Sequence, residues 1–333
     1  MSYSIKSLEN TRNVAGVAFF LFFFMIMGAW AYADEFLESE FLESEFFENS
    51  FEEKKDPFYS NINGLKPVDS QPNTSFSKKQ EKLRDSQNKM ELDRDYFKGI
   101  FSDIAYTASS PLAWDRSDWI TAGWVAGGTG MFIAMDKEIN SAFKNNRSIY
   151  TEKLMDIFEP FGNGAYTLPG LAAFYIFGHF NENEKAKRTT LIAAESFLIT
   201  GLYTTILKYS FGRHRPRTGN SSTSFDGFST NRNYNSFPSG HTSTAFAIAT
   251  VVANQYENTP YIKPISYGIA TLTGLSRINY EAHWASDVFF GAALGYFTSK
   301  TLLRLHNNKK GQHFTIYPRA DSRGGGIMLS KNF

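Results

Sequence analysis

What most constrains the fold is an alternation of apolar, helix-length runs with short charged strings. From Asp95 onward, apolar segments stand at 119–135, 166–179, 190–206, 242–256, 265–275 and 288–303. They are 11 to 17 residues long and rich in aromatic and small residues. This pattern predicts an all-α fold, a bundle with a six-helix core. Three charged strings interrupt it: KYSFGRHRP at 208–216, PSGH at 238–241 and SRINYEAHWASD at 276–287. They lie after the third segment, before the fourth and after the fifth, so one end of the bundle would gather them.

Together the strings supply what is needed to hold a tetrahedral oxyanion and attack it with an imidazole. A phosphate ester shifts charge onto its equatorial and leaving oxygens during transfer, and fixed donors aimed at those oxygens lower the barrier. Lys208, Arg215 and Arg277 are the candidate donors; an Arg fork grips two oxygens, whereas Lys acts as a point charge. Gly240 lets backbone approach a ligand, and Ser239 adds a hydroxyl. The helix expected from Thr242 would turn the free N–H groups of its first turn towards the anion. His283 and Asp287, four apart, share a helix face, so the carboxylate can hold one ring nitrogen protonated while the other attacks phosphorus. His241 is then the acid for the departing alcohol.

Singly, these features are ordinary. Pro-Ser-Gly-His is a common turn and helix cap, and a His and Asp four apart often form a surface pair. Their conjunction, Lys-x6-Arg-Pro, Pro-Ser-Gly-His and Ser-Arg-x5-His-x3-Asp in order, resembles the type 2 phosphatidic acid phosphatase (PAP2) superfamily. That superfamily also contains vanadium haloperoxidases and bacterial non-specific acid phosphatases. Every motif position is filled, and the resemblance covers about residues 100–305. It implies a PAP2-like bundle and a phosphatase that forms a phosphohistidine at His283. Asp287 would orient that histidine, His241 serve the leaving group and Lys208, Arg215 and Arg277 bind phosphate; no metal or other cofactor is implied. His214 reads as a solvated neighbour in a variable motif position, and His179, His306 and His313 as structural or surface residues.

The remainder of the chain suggests where this chemistry takes place. Residues 1–33 resemble a secretory signal, with Lys6 and Arg12, an apolar stretch and Ala31-Tyr32-Ala33 as a cleavage site; an uncleaved anchor is the competing reading. Residues 34–95 carry the repeat EFLES-EFLES-EFFEN and then a Lys-, Asn-, Ser- and Gln-rich run, the composition of a disordered spacer. The catalytic domain is expected over 96–305, with a long loop at 217–237 shaping substrate entry. The tail, 306–333, reads as a β-hairpin with strands at 314–318 and 327–333. No cysteine is present, which excludes a disulfide framework, and a net charge of +1 offers nucleic acid no general attraction.

Spans of the bilayer need about 20 residues, more than these segments supply, although the basic flanks partly suit six spans. If residue 34 starts outside, however, six spans would leave the motif loops in the cytoplasm. Either the bundle is a periplasmic body resting on the membrane, the favoured arrangement, or it is membrane-embedded and one apolar segment is not a span. Both put it in a bacterial cell envelope with the site on the periplasmic side. The expected substrate is a lipid phosphate monoester or diphosphate end group; an aromatic content of 16% suits an apolar ligand as well as a core. The alternatives are a periplasmic acid phosphatase for soluble phosphomonoesters, a vanadium haloperoxidase, and a non-enzymatic envelope binding protein using the Phe-rich arm.

Overall fold

The computed structural model describes residues 90–308 and two strands, Phe314–Asp321 and Gly324–Lys331. The expected signal and nearly all of the expected spacer lie outside the described residues. Eight α-helices run through the described part: α1 (Arg94–Ser109), α2 (Arg116–Asn145), α3 (Ile149–Phe158), α4 (Gly164–Phe180), α5 (Glu184–Phe211), α6 (Gly240–Gln255), α7 (Ile262–Asn279) and α8 (Ala285–Asn308). Six of them contain the six apolar segments. The other two, α1 and α3, break their apolar positions with charged residues, so hydropathy alone passes over them. Their starts are nonetheless written in the sequence. Asp93 accepts hydrogen bonds from Asp95 N and Tyr96 N, and Ser148 and Thr151 form a reciprocal capping box.

Helix α6 is the centre of the bundle and packs on α5, α7 and α8. Its sequence, GHTSTAFAIATVVANQ, has no charged face, and residues are buried all round its circumference, as a central helix requires. Helix α8 lies hard against it through Gly291 and Gly295, four apart on one face. A Cβ on Gly291 would come within 2.7 Å of Ser239 O, and one on Gly295 would collide with Ser243 O. Phe132 of α2 packs on Phe289 of α8 with ring centroids 5.0 Å apart. Farther along α8, His306 Nε2 lies 2.8 Å from Glu195 Oε2 of α5 and 3.7 Å from Asp103 Oδ2 of α1. His306 is thus a structural histidine that ties three helices together.

The outer faces are unusually apolar. Phe101, Leu112, Trp124, Tyr150 and Phe180 are 69–91% exposed, and surfaces of this kind mark contact with another apolar phase or partner. Among the described residues, one helix, α5, is long and apolar enough to cross a membrane. At the C-terminus, β1 (Phe314–Asp321) and β2 (Gly324–Lys331) pair antiparallel, Phe314 opposite Lys331.

Candidate active site

The three motif strings meet at one end of α6. Helix α5 stops at Gly212, whose left-handed φ of 56° and contact with Gly227 O leave no room for a side chain. The chain therefore turns sharply just after Lys208 and enters Arg213–Pro216. The long loop then folds back: Arg213 bridges Phe225, and Ser236 N donates to Arg213 O at 2.9 Å. Arg277 occupies the last turn of α7, and Asp287 the first turn of α8.

His283 is buried. Its Nδ1 lies 3.5 Å from Asp287 Oδ2 and 3.4 Å from Ser236 Oγ, so Nε2 is the nitrogen left for attack. Burial and the nearby Lys208 cation hold the imidazole well below the usual histidine pKa, which keeps it neutral and nucleophilic. Asp287 accepts from Ser236 Oγ at 2.5 Å and from Trp284 N at 2.9 Å. Burial alone would raise its pKa, but Arg213, helped by His283 and Ser236, outweighs burial and keeps the carboxylate ionised well below the usual range.

Arg213 itself has no exposure. Its guanidinium donates to Asp287 Oδ1 at 2.5 Å, to Asp136 Oδ2 of α2 at 2.7 Å and to Ser286 Oγ at 2.6 Å. It also donates to Ser222 O of the loop, at 2.9 Å from Nε. Burial would favour losing its proton, yet the Asp287 and Asp136 carboxylates outweigh this and raise its pKa. The sequence reading missed Arg213, Asp136 and Ser236. Asp136 left only the trace of a charge closing an apolar run, first of the string Asp136-Lys137-Glu138, and Arg213 stands inside the first motif string.

The three cations line the same end. Lys208 Nζ donates to Asn235 O at 2.7 Å. Arg215 donates to Arg232 O at 3.0 Å, Ala282 O at 3.1 Å and Asn235 Oδ1 at 2.9 Å. Arg277 gives Nη1 to Glu159 Oε1 at 3.2 Å, while its buried Nε has no hydrogen-bond partner among the described residues. No side chain caps α6, so the N–H groups of its first turn have neither an intrahelical acceptor nor a side-chain cap. A Cβ on Gly240 would meet only Lys208 Cε and Thr204 Cγ2, both at an ordinary 3.7 Å. The protein therefore tolerates a methyl group here, and the glycine leaves space beside Lys208. The Ser239 hydroxyl is fully buried and pairs with Thr242 Oγ1 at 2.8 Å.

His241 is half-buried, with Nε2 2.9 Å from Glu159 Oε1. Burial and the Arg277 cation push its pKa down to about 4, against an upward pull from Glu159. Glu159 carries no sequence signal; it arrives through the turn Glu159–Gly162, 82 residues before its partner. His214 differs from the solvated neighbour expected. Its ring stacks on Tyr234 at 4.0 Å and hydrogen-bonds Asp226 and Asn220 at 2.9 and 2.6 Å, which clamps the loop.

The helical bundle brings an imidazole, its carboxylate and three cations to an uncapped helix start, the arrangement that the PAP2 resemblance implies. Residues 189–310 match the PAP2 superfamily. Two relatives are lipid A 1-phosphatases. The one from Porphyromonas gingivalis is 44% identical over 105 residues, 29% of this chain and 21% of that protein. The one from Rhizobium etli is 27% identical over 198 residues, 56% of this chain and 82% of that protein. This chain thus spans about a fifth of the Porphyromonas relative. Among solved structures, Aquifex aeolicus LpxE matches with 27% identity and a TM-score of 0.42, over 51% of this chain and 95% of that one. A Bacillus subtilis transmembrane PAP2-type phosphatidylglycerolphosphate phosphatase matches with 17% identity and a TM-score of 0.40, over 64% and 96%.

Proposed function

We propose that this protein is a phosphatase that removes a phosphate monoester from an envelope lipid by way of phospho-His283, with a lipid A 1-phosphate as the first substrate to test. The observation that carries this reading is the meeting of Lys208, Arg215 and Arg277 with a neutral, buried His283 at the uncapped start of α6. The substrate phosphoryl group sits among the cations and the first N–H groups of α6. His283 Nε2 attacks phosphorus and the P–O bond to the leaving alcohol breaks. His241 gives its proton to that oxygen. Water then attacks the phosphohistidine, the P–N bond breaks, phosphate leaves, and the proton lost by the water returns to His241. Asp287, with Ser236 and Arg213 behind it, stabilises the positive charge on the His283 ring. All the charge needed to hold the phosphoryl group comes from side chains and the helix start, so no metal is required.

The lipid preference rests on the two lipid A 1-phosphatase relatives and on the exposed aromatic faces of α1, α2 and α4, which suit a body seated at the envelope membrane with its site on the periplasmic side. The test is phosphate release by the purified full chain from lipid A 1-phosphate, phosphatidate and phosphatidylglycerol phosphate in mixed micelles, beside soluble sugar and nucleotide monophosphates. Faster turnover of lipids is expected. A preference for the soluble esters would replace the lipid reading with a periplasmic acid phosphatase, and no release from any ester would refute both.

A further inference from the structure

Among the described residues, Glu159 is the carboxylate that faces the leaving-group histidine, and the reaction just described gives it no part. Its position is built, not incidental. The turn Glu159–Gly162 is held by Thr273 Oγ1 of α7, which donates to Phe158 O at 2.9 Å, and by Thr244 Oγ1 of α6, which donates to Gly162 O at 3.2 Å. Thr167 of α4 donates to Pro160 O at 3.1 Å. Gly162 lies so close to the His241 backbone that a Cβ there would collide with His241 O. The carboxylate is therefore fixed relative to both helices that carry its partners. Oε1 receives His241 Nε2 at 2.9 Å and Arg277 Nη1 at 3.2 Å.

Two roles are open to a carboxylate so placed. It could plug the phosphate pocket, or it could act on the histidine beside the pocket. Arg277 decides between them. Glu159 takes only Nη1, and the buried Nε of the same guanidinium is left without a partner. A planar guanidinium has five donors in a fork, and Glu159 engages one of them, so donors are left over for a phosphate oxygen. Carboxylate and phosphate can be bound together. Resting on the phosphatase reading above, we infer that Glu159 is a positioning residue for His241: it holds the ring in place through Nε2 and opposes the early loss of the Nδ1 proton that the leaving oxygen takes. The groups facing His241 are Glu159 from the turn, Arg277 from α7 and Lys208 from α5. Both cations oppose protonation, so Glu159 is the counterweight that allows a general acid here at all.

The experiment uses the full-length protein with Glu159→Gln and Glu159→Asp, an alkyl phosphate and an aryl phosphate with an acidic phenol. Glutamine keeps the shape and removes the charge. The expected result is a loss of about tenfold or more in kcat on the alkyl ester and under about threefold on the aryl ester. The alkaline limb of the kcat–pH profile should move to lower pH, since the acid now loses its proton earlier. Vanadate inhibition should stay within about twofold, and Glu159→Asp should recover part of the alkyl-ester rate. Equal losses on both esters with an unmoved alkaline limb would overturn the inference, and tighter vanadate binding with faster turnover would make Glu159 a plug instead. NMR titration of His241 in wild type and Glu159→Gln gives a readout without turnover: a lower pKa in the variant is expected, and an unchanged one refutes the role. If the wild type releases phosphate from no ester, the phosphatase reading fails by itself, while the titration still decides the role of Glu159.

Discussion

Replacing Arg213 by Met should be among the most damaging single changes in the protein, although Arg213 touches no substrate. The side chains of Arg213, Asp136 and Asp287 are all fully buried. Methionine fills most of the volume and removes the charge, leaving two buried carboxylates and the carbonyl of Ser222 without their donor. Breaking one buried ion pair by deleting a partner costs about 3–5 kcal/mol. Here one cation serves two anions, so ~4–5 kcal/mol is the working figure, a large share of the ~5–15 kcal/mol that holds a domain together. For a domain of this size it corresponds to a fall of about 8–20 °C in melting temperature. Thermal unfolding followed by circular dichroism on the full chain reads this directly.

Two controls separate this account from simple loss of packing. Asp136→Asn in the Arg213→Met background removes one stranded charge, so the double variant should be less destabilised than the sum of the singles, by about 1–3 kcal/mol. The second control is pH. The Asp287 pKa is depressed in the folded state, so its stabilising contribution is complete above the unfolded value of about 3.9 and is lost as pH falls towards the folded one. The gap between wild type and Arg213→Met should therefore narrow in acid. The narrowing begins above about pH 4, because burial raises the Asp136 pKa to about 6 even beside Arg213, and goes further below about pH 4 as Asp287 protonates. A loss under about 1 kcal/mol, strict additivity with Asp136→Asn, or a gap that widens in acid would each refute the reasoning.

Three further outcomes follow from the site. His283→Ala should abolish trapped phosphoenzyme and turnover on every ester, and label still bound to that variant in a single-turnover experiment would remove His283 as nucleophile. Gly240→Ala should melt within a few degrees of wild type, because its Cβ meets only ordinary contacts, yet raise KM by about tenfold by filling the space beside Lys208; unchanged kinetics would mean that phosphate does not approach there. Activity should persist in EDTA and fall with vanadate, and loss on chelation restored by Mg²⁺ or Zn²⁺ would overturn a mechanism whose charges all come from side chains.

How far the sequence could be read depended on whether a residue's partner lay nearby in the chain. The helices behind the six apolar segments were legible because each carries a continuous apolar run, buried in α6 and largely exposed in α2 and α4, whereas α1 and α3, with charges among their apolar positions, were visible only through the caps at Asp93 and Ser148. The His283–Asp287 pair was legible for the same local reason, being one helical turn apart. Arg213 was passed over although it sits among motif residues, because its worth depends on Asp136, 77 residues earlier, and nothing in either neighbourhood names the other. Glu159 is the extreme case: a carboxylate opening a short turn has many surface explanations, and only the folding of α6 and α7 around that turn sets it against His241 and Arg277. The motif strings thus record the groups suited to meet phosphate. The groups that keep those residues charged, neutral or aimed are scattered along the chain, since a buried charge constrains where its counter-charge lies in space but not where it lies in sequence.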